Sequence, residues 1–362
     1  MENAQPVHLE SEQDCSPDGG YGWVIVASCF TLNCFTWGVT SHGTMLVGAA
    51  VQSAGFISAS FALEVWHLYI TQGALVGTGI GLVFVPSLPV LSQWFSAKRS
   101  VANGISSAGS GAGGVAFSWG TGAMIRNLGL PCALRVTGLV TLVASFVTTL
   151  LIRDRRRQVK SNKLVFDVRL LRRHEVRLLL LWAFISMFGY ITLIFSLADF
   201  SRSIGLSSAQ ATDVTAVLNL GTAVGRPLIG ITSDRFRRID TAGILTLLCG
   251  IICFAMWLPA TTFALTLAFA FICGAILGVF WMTIGPLCAE VVGLGDFQAL
   301  LSLAWITIII PTTFSEPIAL RLRKPGSNTE YLYPQIFAGV SYLLAEGIML
   351  ELRRVMKWKE RP

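Results

Sequence analysis

RDRRRQVKSNKLVFDVRLLRRHEVR, Arg153 to Arg177, is the stretch on which the rest of the reading turns. It holds ten of the 27 Lys and Arg residues of a 362-residue chain. It is long, polar and basic, and it interrupts a sequence that is otherwise 53% hydrophobic and only 13% charged. A soluble domain has about a quarter charged residues. A chain this poor in charge cannot cover a water-facing surface, so the bilayer is its natural solvent. A basic connector between apolar segments belongs on the cytoplasmic side. The formal net charge of +7 is therefore read as a solvated cytosolic loop and not as a nucleic-acid surface.

Working outward, apolar segments near span length recur at 22–41, 44–62, 67–91, 102–125 and 131–152 before the loop. After it they recur at 177–198, 209–232, 240–258, 262–288, 297–320 and 331–352. About 20 residues carry a helix across the hydrocarbon, so these predict eleven spans in an all-α polytopic membrane protein. The organisation expected is an acidic tail 1–21, a five-span bundle 22–152, a basic loop 153–176, a six-helix bundle 177–352 and a basic tail 353–362. With the loop inside and the spans alternating, twenty of the 27 basic residues fall inside. Six fall outside, and the trio Arg321, Arg323 and Lys324 runs against the positive-inside rule. The tail Met1 to Asp18 has five acids and no Lys or Arg, so the first apolar segment reads as a retained span and not a cleaved signal.

Glycines spaced by four, such as Gly221 with Gly225 and Gly274 with Gly278, give helices flat faces on which backbones approach. The run 104–122, GISSAGSGAGGVAFSWGTG, is small on most of one side. Its Gly109, Gly111 and Gly114 match G-x-G-x-x-G, but no strand precedes them, so helix packing and not dinucleotide binding is expected. The eight cysteines are scattered through apolar segments without the four converging ligands that zinc needs. No Walker A, HExxH or GxSxG motif is present, and no paired carboxylates form a plausible catalytic site. An enzyme and a cofactor are not expected.

Three motifs go further. DGGYGWV, Asp18 to Val24, closes the acidic tail, with Asp18 placed to cap a helix and Tyr21 and Trp23 suited to the headgroup level. WFSAKRSVANGISSAGSGAGG, Trp94 to Gly114, joins an aromatic pair and the basic pair Lys98 and Arg99 to a small-residue helix. GITSDRFRR, Gly230 to Arg238, sets Asp234 four residues after a glycine and beside Arg235 and Arg238. Such a loop can pair an acid with basic side chains and helix ends and latch two helices on the inner face. Together these resemble the signatures of the monocarboxylate transporter family, a branch of the major facilitator superfamily. Asp18, Gly19, Gly20 and Trp23 lie in the first signature, and the fungal members are closest in texture. The resemblance covers nearly the whole chain and implies the superfamily's two six-span bundles. It also implies that the second span, with its flanking loops, is missing where Gly43 runs into Thr44. One helix and two loops amount to about 50 residues.

An ionisable residue within a span is expensive and is a functional candidate by default. In NLGTAVGRPLIG, Arg226 precedes Pro227. A guanidinium there either grips a carboxylate through two parallel hydrogen bonds or serves as the structural partner of a buried acid or of backbone carbonyls. The resemblance implies that an arginine at this position binds the substrate carboxylate. It also implies an acid one turn earlier, where this chain has Thr222, and a lysine late in the first span, where it has Ser41. A hydroxyl cannot carry a proton charge as a carboxylate can. Glu316 is the acid that can supply a proton-sensitive group, unless it is a buried hydrogen-bonded helix acid. Glu346 reads as structural and near the inner interface. Asn219, Phe280 and Trp281 can line a cavity or simply pack.

The expected function is a secondary carrier of a small organic anion, working by rocking one bundle against the other. Two rivals stand beside it. One is a non-transporting shortened product, sensor or partner of a full-length carrier, which leaves an accessory membrane protein open. The other is an exporter of a secondary metabolite. The plasma membrane is the default location and the vacuolar membrane the alternative. An epitope inserted near Lys160 should be reached by antibody only after cells are permeabilised, and the chain should stay in carbonate-washed membranes. Labelling of intact cells would invert the topology.

Overall fold

The computed structural model describes residues 42–84, 95, 99–151, 167–324, 326 and 329–359. Ten helices lie within them. α1 is His42–Ala59, and α2 (65–84) passes through a π-helical stretch, Tyr69–Val76. α3 is Arg99–Leu128 and α4 Leu130–Leu151. Then come α5 (His174–Ser203), α6 (Ser208–Arg235), α7 (Arg238–Trp257), α8 (Phe263–Gly293), α9 (Gly295–Leu322) and α10 (Leu332–Lys359). Each matches one predicted span. The segment 22–41, the first signature and most of the basic loop lie outside the described residues. Seven of the helices, α4 to α10, are long and apolar enough to cross a membrane. α3 has the length, but its glycines and serines keep it out of that set.

The sequence starts and stops these helices in recognisable ways. Gly205 takes φ 86°, which costs glycine least, and ends α5. The next amide, Leu206 N, bonds back to Ser201 O at 3.2 Å. Ser207 then opens α6 with a reciprocal capping box. Its hydroxyl accepts from Gln210 N at 3.2 Å, and the Gln210 side chain accepts from Ser207 N at 2.9 Å. Gly293, at φ 75°, separates α8 from α9.

α1 packs against both α2 and α4, and α5 to α10 form the second bundle. The pair α3–α6 is the most extensive contact in the molecule and joins the two. That contact is made by absent side chains. A Cβ at Gly104 would come 2.7 Å from Arg226 O, and one at Gly230 would come 2.5 Å from Ser100 O. On its other side α6 meets α8 in the same way. Cβ atoms at Gly221, Gly225 and Gly274 would overlap the backbones of Phe271, Ala275 and Leu218. α6 is thus held on two faces by backbone-to-backbone packing. At the end of α6, Asp234 Oδ2 of the GITSDRFRR motif accepts from Val101 N, in the first turn of α3, at 3.0 Å. A carboxylate there also suits the positive end of the α3 dipole.

The second bundle carries two aromatic and aliphatic cores. One surrounds Trp182, Phe280, Leu287 and Leu300. The other is built on Trp257 stacked on Phe269 at 5.5 Å. Cys249, Cys253 and Cys273 are free and buried in the second of these.

Two of the trio that runs against the charge rule have partners. Arg323 pairs with Asp199 and Glu330, and Tyr331 donates to Asp199. Burial pushes the Tyr331 hydroxyl above its ordinary range, and donation to Asp199 adds to this, so it remains a donor. Lys324 lies 4.4 Å over the Tyr333 ring. Two carboxylates thus meet one guanidinium, while the trio still counts against the positive-inside rule.

Gly225→Ala would drive a methyl into the Ala275 carbonyl. Overpacking costs about 1–3 kcal/mol or more, so the variant should melt several degrees below wild type. Gly120→Ala on α3, where nothing lies within 4 Å, should melt at or slightly above it. Equal melting of the two variants would refute the close α6–α8 packing.

Candidate substrate site

Arg226 is placed by the packing just described. It lies on α6, the helix between α3 and α8, and Pro227 follows it inside the helix. Proline has no amide hydrogen and clashes with the carbonyl four residues earlier, so the Ala223 carbonyl loses its usual helical partner. The guanidinium is 4% exposed. Nη1 donates to Ser107 O at 2.8 Å and to the Ser110 hydroxyl. Nε has no hydrogen-bond partner. It faces Gly278, where a Cβ would come within 3.0 Å of it. Tyr190 on α5 lies beside it as a polar neighbour. Among the described residues no Asp or Glu forms an ion pair with Arg226. A buried cation is costly unless paired, and here the pairing is carried by neutral oxygens alone.

Arg226 lines a cavity of about 200 Å³ at the junction of α3, α5 and α6. Ser110, Tyr190, Thr215, Asn219 and Thr222 give it hydroxyls, an amide and a phenol, while Ile194, Leu197 and Leu218 supply apolar surface. A guanidinium at one end and a greasy wall at the other suit a small amphiphilic anion.

The predicted site residues divide. Arg226, Asn219 and Thr222 come together in this cavity. Asn219 Nδ2 donates to Thr215 O at 3.0 Å, and its amide packs on Gly114 of α3. Thr222 Oγ1 points its hydrogen toward Leu218 O at 3.1 Å and Gly274 O at 3.2 Å. Its hydroxyl therefore also fastens α6 to α8. Trp281 is not on the cavity wall. Its ring meets Tyr190 at 5.9 Å and Trp305 at 5.6 Å, so it backs the tyrosine that does line the cavity. Phe280 is 2% exposed and belongs to the core. Glu316 also lies off the cavity, on α9. Its two oxygens accept from the Ser196 hydroxyl at 3.2 and 3.1 Å. Of the signature residues, Asp234 makes the latch to α3. Arg235 is exposed, and Arg238 opens α7 half-buried. Arg99 begins α3, while Lys98, Asp18, Gly19, Gly20 and Trp23 lie outside the described residues.

Tyr190, Ser107 and Ser110 were not singled out from the sequence. A tyrosine in an apolar span and serines in a glycine-rich helix read as packing. The available signal was the cluster of hydroxyls in SSAGS, on the helix whose small face has to meet another.

Comparison with known proteins follows the fold. The Major Facilitator Superfamily profile matches residues 23–310. The probable transporter MCH2 of Saccharomyces cerevisiae is 30% identical over an alignment covering 90% of this chain and 81% of its own length. The fujikurins efflux protein of Gibberella fujikuroi is 27% identical, covering 83% of this chain and 64% of its own. Among solved structures, the E. coli fucose:proton symporter FucP superposes with a TM-score of 0.67. It covers 92% of this chain and 88% of its own at 11% identity, a likeness of fold alone. By its family match and its two-bundle helical fold, the chain belongs to the Major Facilitator Superfamily and is a secondary transporter.

Proposed function

We propose that the chain carries a small organic anion of monocarboxylate type, with Arg226 as the group that receives the carboxylate. The observation that carries this reading is a buried guanidinium on a cavity wall with no acidic partner among the described residues. A bound carboxylate completes its coordination. It accepts from the guanidinium, with Tyr190 beside it on the cavity wall, and Ser110 can donate to it by turning its hydroxyl away from Ser107 O, which it meets at 3.0 Å. Ile194, Leu197 and Leu218 then cover the short apolar end. The likeness to the monocarboxylate transporter signatures supports the same assignment. The printed name of the Gibberella relative supports a second reading, export of a larger metabolite. A cavity of about 200 Å³ favours the smaller ligand.

The test is binding to the purified full chain in lipid nanodiscs, read by tryptophan fluorescence. Acetate, propionate, lactate and pyruvate are compared with the matching amides and with longer carboxylates. Removing one partner of a buried charge pair costs about 2–5 kcal/mol. Arg226→Ala should therefore weaken carboxylate binding by at least about 30-fold. Arg226→Lys, which keeps the charge and loses the fork, should fall between. Equal binding of acid and amide, or no loss in Arg226→Ala, would overturn the assignment. Binding of the longer carboxylates alone would favour the exporter.

We further propose that this chain lacks one helix of the superfamily's twelve, between Gly43 and Thr44. The alignment with MCH2 runs over 384 positions, whereas 90% of this chain supplies only about 326 of them. Roughly 58 positions of the relative therefore face no residue here, the size of one span with its loops. The described helices with segment 22–41 make eleven. Sequencing transcripts across the Gly43 and Thr44 codons should recover an in-frame form encoding another apolar span. Uninterrupted coding sequence in both transcript and genomic DNA would count against an unspliced or misassembled message and leave a genuine deletion.

A further inference from the structure

α10 carries a buried carboxyl that the site around Arg226 does not use. Glu346 falls in the middle of the 28-residue helix Leu332–Lys359. The apolar run 331–352 ends six residues beyond it, about 9 Å along the helix. Its side chain is 7% exposed, and Oε2 has no hydrogen-bond partner. The facing residue on α7 is Gly243. A Cβ there would come 3.0 Å from Oε2 and 3.4 Å from Oε1. The bare glycine therefore forms the recess that holds the carboxyl.

The charges on this seam are few. One turn before Gly243, Asp240 pairs with Arg353, two turns beyond Glu346 on α10. Nε lies 2.7 Å from Oδ1, and Nη2 donates to Oδ2 at 2.9 Å. α5, the other helix along α10, has no charged residue between Arg177 and Asp199, and its one ionisable side chain there is Tyr190. Its end groups are engaged elsewhere, Glu175 with Lys359 and Asp199 with Arg323. α9 offers Asp296, which pairs with Arg173 at 3.7 Å, Glu316, which is bound to Ser196, and Arg321 near its other end. α10 also carries Tyr333, Tyr342, Lys357 and the pair Glu351 with Arg354 at 3.6 Å, and α7 carries Arg238, Cys249 and Cys253. Two carboxyls thus share one guanidinium, and Asp240 holds it. With Glu346 neutral the recess holds no charge. With Glu346 ionised the recess holds an unpaired anion away from water, which is unfavourable.

We infer that Glu346 is a proton-binding site of the second bundle. The carboxyl keeps its proton while seated against Gly243. It gives the proton up when the α7–α10 seam loosens toward the inner face, where the carboxylate competes with Asp240 for Arg353. The ligand is a proton, and the site offers a coupling ion for transport that does not pass through Thr222 or Glu316. The inference does not rest on Arg226 binding an anion, and its test uses no substrate.

The test is infrared spectroscopy of the purified full chain in lipid nanodiscs, following the C=O stretch of protonated carboxyls against pH. Wild type at neutral pH should show a band that is missing from E346Q and kept in E316Q. As pH rises that band should fade, and wild type should release one proton more per chain than E346Q. If E346Q does not fold, Glu346→Asp decides, because a shorter acid withdrawn from the recess should shift the band. Identical protonated-carboxyl bands and equal proton release in wild type and E346Q would overturn the inference. So would an unshifted band in E346D, or loss of the band in E316Q.

Discussion

A guanidinium buried between helices without an acidic partner is the constraint on which the account depends. A solvated arginine is ordinary. One that is 4% exposed at lipid depth has given up its hydration and needs that loss made good. Here it is made good partly by Ser107 O and the Ser110 hydroxyl, and Nε is left without a partner. The small-residue faces of α3, α6 and α8 make the arrangement possible. Only glycine at Gly104, Gly221 and Gly225 lets the three backbones approach closely enough to enclose the side chain. Packing and function are thus set by the same residues. The glycines that fix α6 also decide that Arg226 faces a cavity and not lipid.

The inner latch extends this argument to motion. Asp234 of α6 caps the amino end of α3, so the helices that form the bundle-to-bundle seam are tied at one end through a charged hydrogen bond. In a rocking carrier such a contact has to break and re-form. Being exposed enough to hydrate, it is suited to that use in a way that the glycine seam is not.

Much of this was legible in the sequence, for physical reasons that differ by element. The spans α4 to α10 were legible because lipid demands about 20 apolar residues and nothing in water does. Arg226 was legible because a charge in such a run is costly. What sequence could not give was facing. Tyr190 and Ser110 look like packing until α5 and α3 are seen to turn them toward Arg226. Trp281 looks like a ligand contact until it is seen behind Tyr190. Nor could it show that Arg323, of the trio at 321–324, pairs with Asp199, which lies 124 residues away in sequence.

The most direct measurement is an experimental structure of the full chain with 3-bromopropionate bound, the bromine marking the ligand. The account predicts the carboxylate oxygens within hydrogen-bond distance of Arg226 and Ser110, with the bromine against Ile194, Leu197 and Leu218. Bromine placed away from this cavity, with Arg226 still bound only to Ser107 and Ser110, would contradict it.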